Sequence, residues 1–409
     1  MDTTLIKIKE KGLSSWTKNM FVLGIVTASF TKIRIPNMSI GVSEVLLLIS
    51  IILSFFKIIF TSKLYYNDAR WFILLWSLTF PCLLAGIFTH ITIVHPVDPV
   101  SLSHDGIAFI FCFFSIALFW LAEIDSRDTL LKILKSVYHY SSLVFTLMLL
   151  LVLLGLDIPV YSLYDSYNIR FTGLSLNPNQ LALFVLPLFF FGEYLYKTKK
   201  SIIYYLWMIP IVSIGFLTLS DSLYLAWGIF AGIYYMFFKK YSNNTQKDIF
   251  IRISFILILI LSLVVVVSVL YDYYESISSG SSQGSERINR WSNALRAILI
   301  SPLWGYGPGS FSGTTGIWQS QEAHNTVIDW TLSTGIFGVI FLLGYWFLIF
   351  VTLLKYKQNA LLMSFFGLFL FTMFHYVLRQ PVYWFYTLIL LGLSRDFNSR
   401  TIYLTKLKG

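Results

Sequence analysis

The sequence predicts an all-α protein, a polytopic membrane helix bundle of about twelve transmembrane helices. Three observations predict it. Hydrophobic residues make up 56% of the chain, aromatic residues 18% and charged residues only 12%, which lies outside the range of soluble globular domains. Apolar stretches of about 20 residues, the length needed to cross the hydrocarbon core, recur throughout. The stretches are continuous rather than alternating in polarity. A backbone in lipid must satisfy its own hydrogen bonds, which leaves helices or a closed barrel, and continuous apolar runs select helices.

The runs place spans at 19–33, 38–60, 71–92, 106–122, 131–155, 179–197, 201–219, 222–238, 250–270, 327–354, 359–378 and 381–394. The first is short enough to be re-entrant. Residues 1–18 are polar and basic, and no small-residue cleavage site follows the first apolar run, so no removable leader is expected. The chain reads as one integral membrane domain, 1–409. Cys82 and Cys112 fall within apolar spans and read as small core residues.

Charge sets the topology. With the N-terminus in the cytoplasm and the spans alternating, all but seven of the 30 Lys and Arg residues fall inside. The seven are Lys32, Arg34, Arg170, Arg287, Arg290, Arg296 and Arg379. This bias supports an even span count with both termini cytoplasmic. The net charge of +10 is therefore a topology signal, and no nucleic-acid partner is expected.

Three outward segments exceed short connections: Ile93–Asp105, Asp157–Asn179 and the longest, residues 271–323. In the last, Ile288, Trp291, Leu295 and Ile298 recur at helical spacing, so the loop is partly helical. Arg287 and Arg290 sit three apart and share one side of that helix. Ser285 is placed to cap its start, and Pro302 ends it. Gly305, Gly307, Gly309, Gly313 and Gly316 then mark an irregular segment in which backbone can approach a ligand closely. His324-Asn325 stands at the lip of the next span.

Outward arginines run against the inside bias and need a reason. Lys32, Arg34 and Arg296 read as interfacial groups reaching lipid phosphate. Arg170 and Arg287 sit in long outward loops rich in Gly, Asn and Ser. Guanidinium is suited to bidentate contact with phosphate, so two or three such groups can hold a pyrophosphate and stabilise the charge that grows as it leaves. His324 supplies a group whose ordinary pKa of about 6.5 suits proton abstraction, and a nearby arginine cluster keeps such a ring neutral. His90, His95, His104, Asp98 and Asp105 lack the tight spacing of a zinc motif, so no metal and no cofactor are expected. Asp272, Glu275, Glu286 and Glu322 read as sugar-binding or plain loop acids. His139 and His375 fall towards span interiors, where helix–helix hydrogen bonding is the expected role. Most Trp and Tyr residues fit interfacial belts, with Trp291, Trp304, Trp318 and Trp384 available to stack on sugar or lipid.

The stretch Arg287-Ile-Asn-Arg-Trp291, then Pro302-Leu-Trp-Gly-Tyr-Gly-Pro-Gly-Ser-Phe311, His324-Asn325 and Thr334-Gly-Ile-Phe-Gly338, resembles the signature region of the bacterial O-antigen ligase and polymerase superfamily. Arg170-Phe-Thr-Gly173 with Asn177-Pro-Asn179 resembles its second block. The resemblance implies a metal-independent glycosyltransferase of the bacterial inner membrane, acting on undecaprenyl-pyrophosphate-linked glycans at the periplasmic face. It puts His324, Arg287 and Arg170 in catalytic roles. Arg290, Asn325, Asn177, Asn179, Asp221, Trp291 and Arg379 are the accompanying candidates for substrate binding. One departure stands out: the family often carries Ser-Arg after the seventh span, and this chain has Ser220-Asp221-Ser222. Either another arginine, such as Arg290 or Arg379, supplies that charge or the site is arranged differently.

Within that class the reading is polymerisation of surface-polysaccharide repeat units, because nothing in the outward loops forms an obvious basic platform for a phosphorylated core. An O-antigen ligase, which moves glycan onto lipid A–core, shares donor, leaving group and base and differs only in acceptor. A flippase for the same lipid-linked sugars expects ionisable groups lining the bilayer midplane, and the spans are largely free of them. The expected partners are the lipid-linked donor, a glycan acceptor, membrane lipids and a chain-length regulator protein.

Overall fold

The structure, a computed structural model, describes residues 3–35, 40–66, 68–93, 98–156, 162–165, 170–238, 283–312, 322–394 and 400–403. The expected span at 250–270, and 271–282 and 313–321 of the long loop, lie outside the described residues, as do Trp318 and His95. Helices dominate: α1 Thr3–Val26, α2 Val42–Thr61, α3 Ala69–Ile93, α4 Pro99–Glu123, α5 Arg127–Leu153, α6 Pro178–Lys199, α7 Ile203–Leu217 and α8 Asp221–Ile233. α8 runs on into a π-helical turn, Tyr234–Phe238. Then follow α9 Gln283–Ile300, α10 Thr326–Lys355, α11 Asn359–Thr372 and α12 Pro381–Ser394. Among the described residues six helices (α2 to α6 and α10) are long and apolar enough to cross a membrane, and α7, α11 and α12 are shorter apolar helices. One small antiparallel sheet joins β1, Lys63–Tyr66, to β2, Arg400–Tyr403, with Lys63 opposite Tyr403.

α6 and α12 lie at the centre, with Leu181–Leu195 and Val382–Ser394 buried. Apart from Glu193 in α6, they carry apolar and aromatic side chains on every face, as a helix enclosed by others requires. An aromatic core gathers beside α12, where Trp76 lies 5.2 Å from Trp384 and 6.2 Å from Trp330, ring centre to ring centre. Trp384 is 1% exposed and donates to Leu378 O at 2.8 Å, so it packs the core and is closed to sugar.

Three helix ends differ from the hydropathy pattern. α1 starts at Thr3, well before the apolar run, because the Lys-, Glu- and Leu-containing segment is itself helix-forming. α4 starts at Pro99 inside the expected loop 93–105, where the Asp98 carboxylate accepts from Val100 N and Ser101 N and proline takes the first turn. α11 stops at Thr372 rather than 378. There the carbonyls of Met373 and His375 are taken by Asn325 Nδ2 (2.9 Å) and Thr326 Oγ1 (2.6 Å) at the start of α10.

Ionisable groups inside the bundle are satisfied locally. Glu123, 1% exposed, pairs with Lys57 at 2.8 Å and Lys18 at 3.5 Å. Glu193 accepts from the phenols of Tyr205, Tyr234 and Tyr235. Both lie towards the end of the bundle that carries the α4–α5 and α6–α7 connections. The candidate site lies at the opposite end, where α3, α5, α7, α9 and α11 finish and α4, α6, α8, α10 and α12 begin.

Candidate active site

His324 sits on a turn built by the first residues of α10. Asn325 caps that helix, its Oδ1 accepting from Val327 N (3.0 Å) and Ile328 N (3.1 Å). The buried Asp329 carboxylate accepts from Ala323 N (2.8 Å) and Asn325 N (3.0 Å), gripping the chain on both sides of His324. This forces His324 to φ +54°, the left-handed region, at a cost of about 1–2 kcal/mol for an L-residue. The reward is orientation: the ring stands exposed while its neighbours Ala323 and Asn325 are buried. Backbone strain of this kind clusters at functional sites.

α9 lies against this turn. Ala294 and Ala297 pack with Tyr306, Phe311, Ala323 and Leu332, and Trp291 Nε1 donates to Ala323 O at 2.8 Å. Arg290, on the adjoining face, brings Nη1 to 3.2 Å from His324 Nε2. Guanidinium can only donate, so His324 Nε2 is the acceptor in this contact and carries its lone pair there. Arg287 lies one turn earlier on α9; its side chain lies outside the described residues.

The glycine segment after α9 packs against helices. Tyr306 N and Gly307 N donate to Leu332 O (2.7 Å) and Ser333 O (3.0 Å), and Ile336 N donates to Pro302 O (2.9 Å). At Gly335, φ +65° breaks α10, and a β-carbon there would lie 2.0 Å from Leu303 O. At Gly307, φ +79°, a β-carbon would meet Ile87 N at 2.8 Å. The close approach these glycines permit is therefore to the backbone of α10 and α3. Gly313 and Gly316 lie outside the described residues.

Arg170 comes from the loop between α5 and α6. Its Nε donates to Thr218 O at the end of α7 (3.1 Å) and its Nη2 to Asn179 Oδ1 (3.0 Å). Asn177 caps α6 by accepting from Asn179 N at 2.8 Å. Lys32 fastens this loop from behind, its ammonium donating to Ser162 O (2.6 Å), Thr172 Oγ1 (2.6 Å) and Gly173 O (3.1 Å). Lys32→Met is therefore expected to lower folding stability by about 2 kcal/mol, which thermal unfolding in detergent checks.

The Arg170 loop and the His324 turn are joined. Asn179 Oδ1 also accepts from Ser220 Oγ (3.0 Å), Ser220 contacts Ser222 Oγ (3.2 Å), and Ser222 contacts His375 Nε2 (2.9 Å). His375 O accepts from Thr326 Oγ1, two residues after His324. Asp221, between the two serines, opens α8 and is exposed.

Arg379 braces the rim. Its Nη1 reaches both oxygens of Asp105 (2.9 and 3.1 Å), and its Nη2 reaches Glu322 Oε1 at 2.6 Å, two residues before His324. Burial works against the Arg379 charge, but the Glu322 and Asp105 carboxylates outweigh it and raise its pKa above the ordinary value.

Of the residues singled out in the sequence, Arg170, Asn177, Asn179, Arg290, Trp291, His324, Asn325 and Arg379 thus share one end of the bundle, linked by hydrogen bonds or by adjacency in the chain. Several are engaged internally: Asn325 in capping, Trp291 on Ala323 O, Arg379 on two carboxylates. Sequence reasoning missed Asp329 and the loop-fastening role of Lys32, while the expected hydrogen-bonding role of His375 is met by its contact with Ser222. An acid in the first turn of an apolar span was a usable signal for Asp329.

Comparison with curated proteins finds no match. Residues 203–343 match the family model described as O-antigen ligase, a stretch running from α7 into α10 that holds Ser220, Ser222, Arg287, Arg290, His324, Asn325 and Asp329. Over this segment the chain is similar to the O-antigen ligase family.

Proposed function

We propose that this membrane protein polymerises surface-polysaccharide repeat units, transferring glycan from a lipid pyrophosphate to a sugar hydroxyl at the periplasmic face. The observation that carries the reading is the contact of Arg290 with His324 Nε2 on an exposed, strained turn. It joins a cation fit for phosphate to a ring nitrogen in its proton-accepting form.

The reaction is an inverting displacement. Once Arg290 turns from His324 to the donor phosphate, the freed Nε2 takes the proton of the acceptor hydroxyl, and that oxygen attacks the anomeric carbon of the donor. The bond from that carbon to the pyrophosphate oxygen breaks, and the lipid pyrophosphate leaves with one more negative charge. Arg170, Arg287 and Arg290 stabilise that charge, a role that elsewhere falls to a divalent metal. Asn177, Asn179 and Asp221 bind the donor sugars.

A neutral sugar acceptor suits the disposition of two of the remaining outward cations. Lys32 is bound to backbone and a hydroxyl, and Arg379 is matched by Asp105 and Glu322. Neither contributes to a basic platform for a phosphorylated lipid A–core. The test is transfer by the purified protein between defined lipid-pyrophosphate-linked oligosaccharides. A ladder of repeat lengths is expected. A single product on lipid A–core would replace this reading with ligation, and movement across the bilayer without new bonds would replace it with flipping.

A further inference from the structure

His375 touches both halves of the site and has no part in the reaction as written. Its ring rests 4.4 Å from that of Phe371, its carbonyl holds Thr326, and its Nε2 lies 2.9 Å from Ser222 Oγ. The chain that continues from Ser222 towards Arg170 has only one consistent direction.

Hydrogen counting fixes that direction. Arg170 Nη2 can only donate, so the Asn179 atom 3.0 Å away is the amide oxygen. That oxygen bears no hydrogen, so Ser220 Oγ, also 3.0 Å from it, donates its single hydroxyl hydrogen. Ser220 then has none left for Ser222, so Ser222 is the donor across their 3.2 Å contact. Ser222 in turn has none left for His375, so the imidazole donates. His375 therefore carries a hydrogen on Nε2, and its proton exchange is confined to Nδ1. Ser220 and Ser222 are 1% and 6% exposed, so water cannot easily replace a missing link.

We infer that His375 is a positioning residue for Arg170: it polarises the chain Ser222–Ser220–Asn179 in one direction and so holds the guanidinium where it meets the donor phosphate. This rests on the reading of Arg170 as a ligand of the lipid pyrophosphate. Hydrogen bonds in a chain that all point one way strengthen one another, so the loss of the first donor is felt at the last acceptor. Arg170 Nε is separately fixed on Thr218 O. The chain then decides the rotation of Nη2 about that anchor.

The test compares His375→Ala, His375→Gln and Ser222→Ala in the transfer assay. Removing the donor in His375→Ala is expected to raise KM for the lipid-linked donor about tenfold, with kcat changed far less. Gln carries an amide N–H at the reach of Nε2 and is expected to restore most of the loss, a rescue that a merely space-filling role would not show. Should His375→Ala not fold, Ser222→Ala breaks the same link with a smaller change and is expected to give the same KM effect. The 15N spectrum of the imidazole is expected to show a protonated Nε2; an unprotonated Nε2 would overturn the direction of the chain. An unchanged KM in His375→Ala or Ser222→Ala, beside a large loss in Arg170→Ala, would overturn the inference and leave the pyrophosphate role intact. Full donor binding by Arg170→Ala would instead remove the functional reading on which the inference stands.

Discussion

His324→Ala is expected to lower the rate of glycan transfer about a thousandfold while leaving KM for the lipid-linked donor within a few-fold of wild type. A general base acts on the acceptor hydroxyl in the transition state, and the donor is held by arginines that the substitution does not touch. Folding should survive, because the turn is held by groups other than the ring: the Asp329 carboxylate on Ala323 N and Asn325 N, and the Asn325 cap. Alanine at φ +54° keeps the backbone strain. His324→Gly relieves it, and it should be at least as stable as the alanine variant and equally inactive. The two together separate loss of the base from loss of the turn. Full transfer activity of His324→Ala in membranes would remove His324 from the mechanism.

Local hydropathy carried the long elements. The expected span 327–354 became Thr326–Lys355, because lipid leaves a continuous apolar run no other way to satisfy its backbone, whereas 381–394 became Pro381–Ser394, a helix of 14 residues among the shorter apolar ones. It failed where other physics sets the end. Asp98-Pro99 is a capping signal, and it outweighed the polarity of the segment that follows. Thr372 ends α11 because Asn325 and Thr326, from another helix, take the carbonyls beyond it. The break at Gly335 was equally hidden, since it depends on Pro302 and Leu303 lying against α10.

The candidate site was legible in outline for a topological reason. Arg170, Arg287 and Arg290 run against the inside bias, and His324 follows them in the long loop, so charge placement marked them without any knowledge of contacts. What those groups touch was not legible. Arg379 looked like one more outward cation, yet its partners Asp105 and Glu322 come from distant parts of the chain. Lys32 looked like a lipid-facing group and instead ties down the loop of Arg170. Ser220-Asp221-Ser222 was visible only as a departure from the family pattern. Its two serines acquire meaning once His375 and Asn179 are found at either end.

Arg170→Lys, which keeps the charge, is expected to reduce kcat/KM for the lipid-linked donor about a hundredfold. Arg170 uses one planar group in two directions, Nε to Thr218 O at 3.1 Å and Nη2 to Asn179 Oδ1 at 3.0 Å. A lysine ammonium is a single point of donation on a longer apolar stem. If it satisfies Thr218 O it leaves Asn179 Oδ1 with Ser220 alone, and if it reaches for phosphate it leaves both. The charge would remain near the pyrophosphate, but its direction would be lost, and direction is what lets an arginine follow the charge that builds as the leaving group departs. KM for the lipid-linked donor should rise in this variant, because the substitution touches the group that meets the pyrophosphate; that distinguishes it from the base variants, whose loss is in kcat. The protein should also stay folded, since Lys32 and the Asn177 cap still hold the loop. Wild-type kcat/KM in Arg170→Lys would show that charge alone suffices, and would remove the bidentate geometry from the account of leaving-group stabilisation.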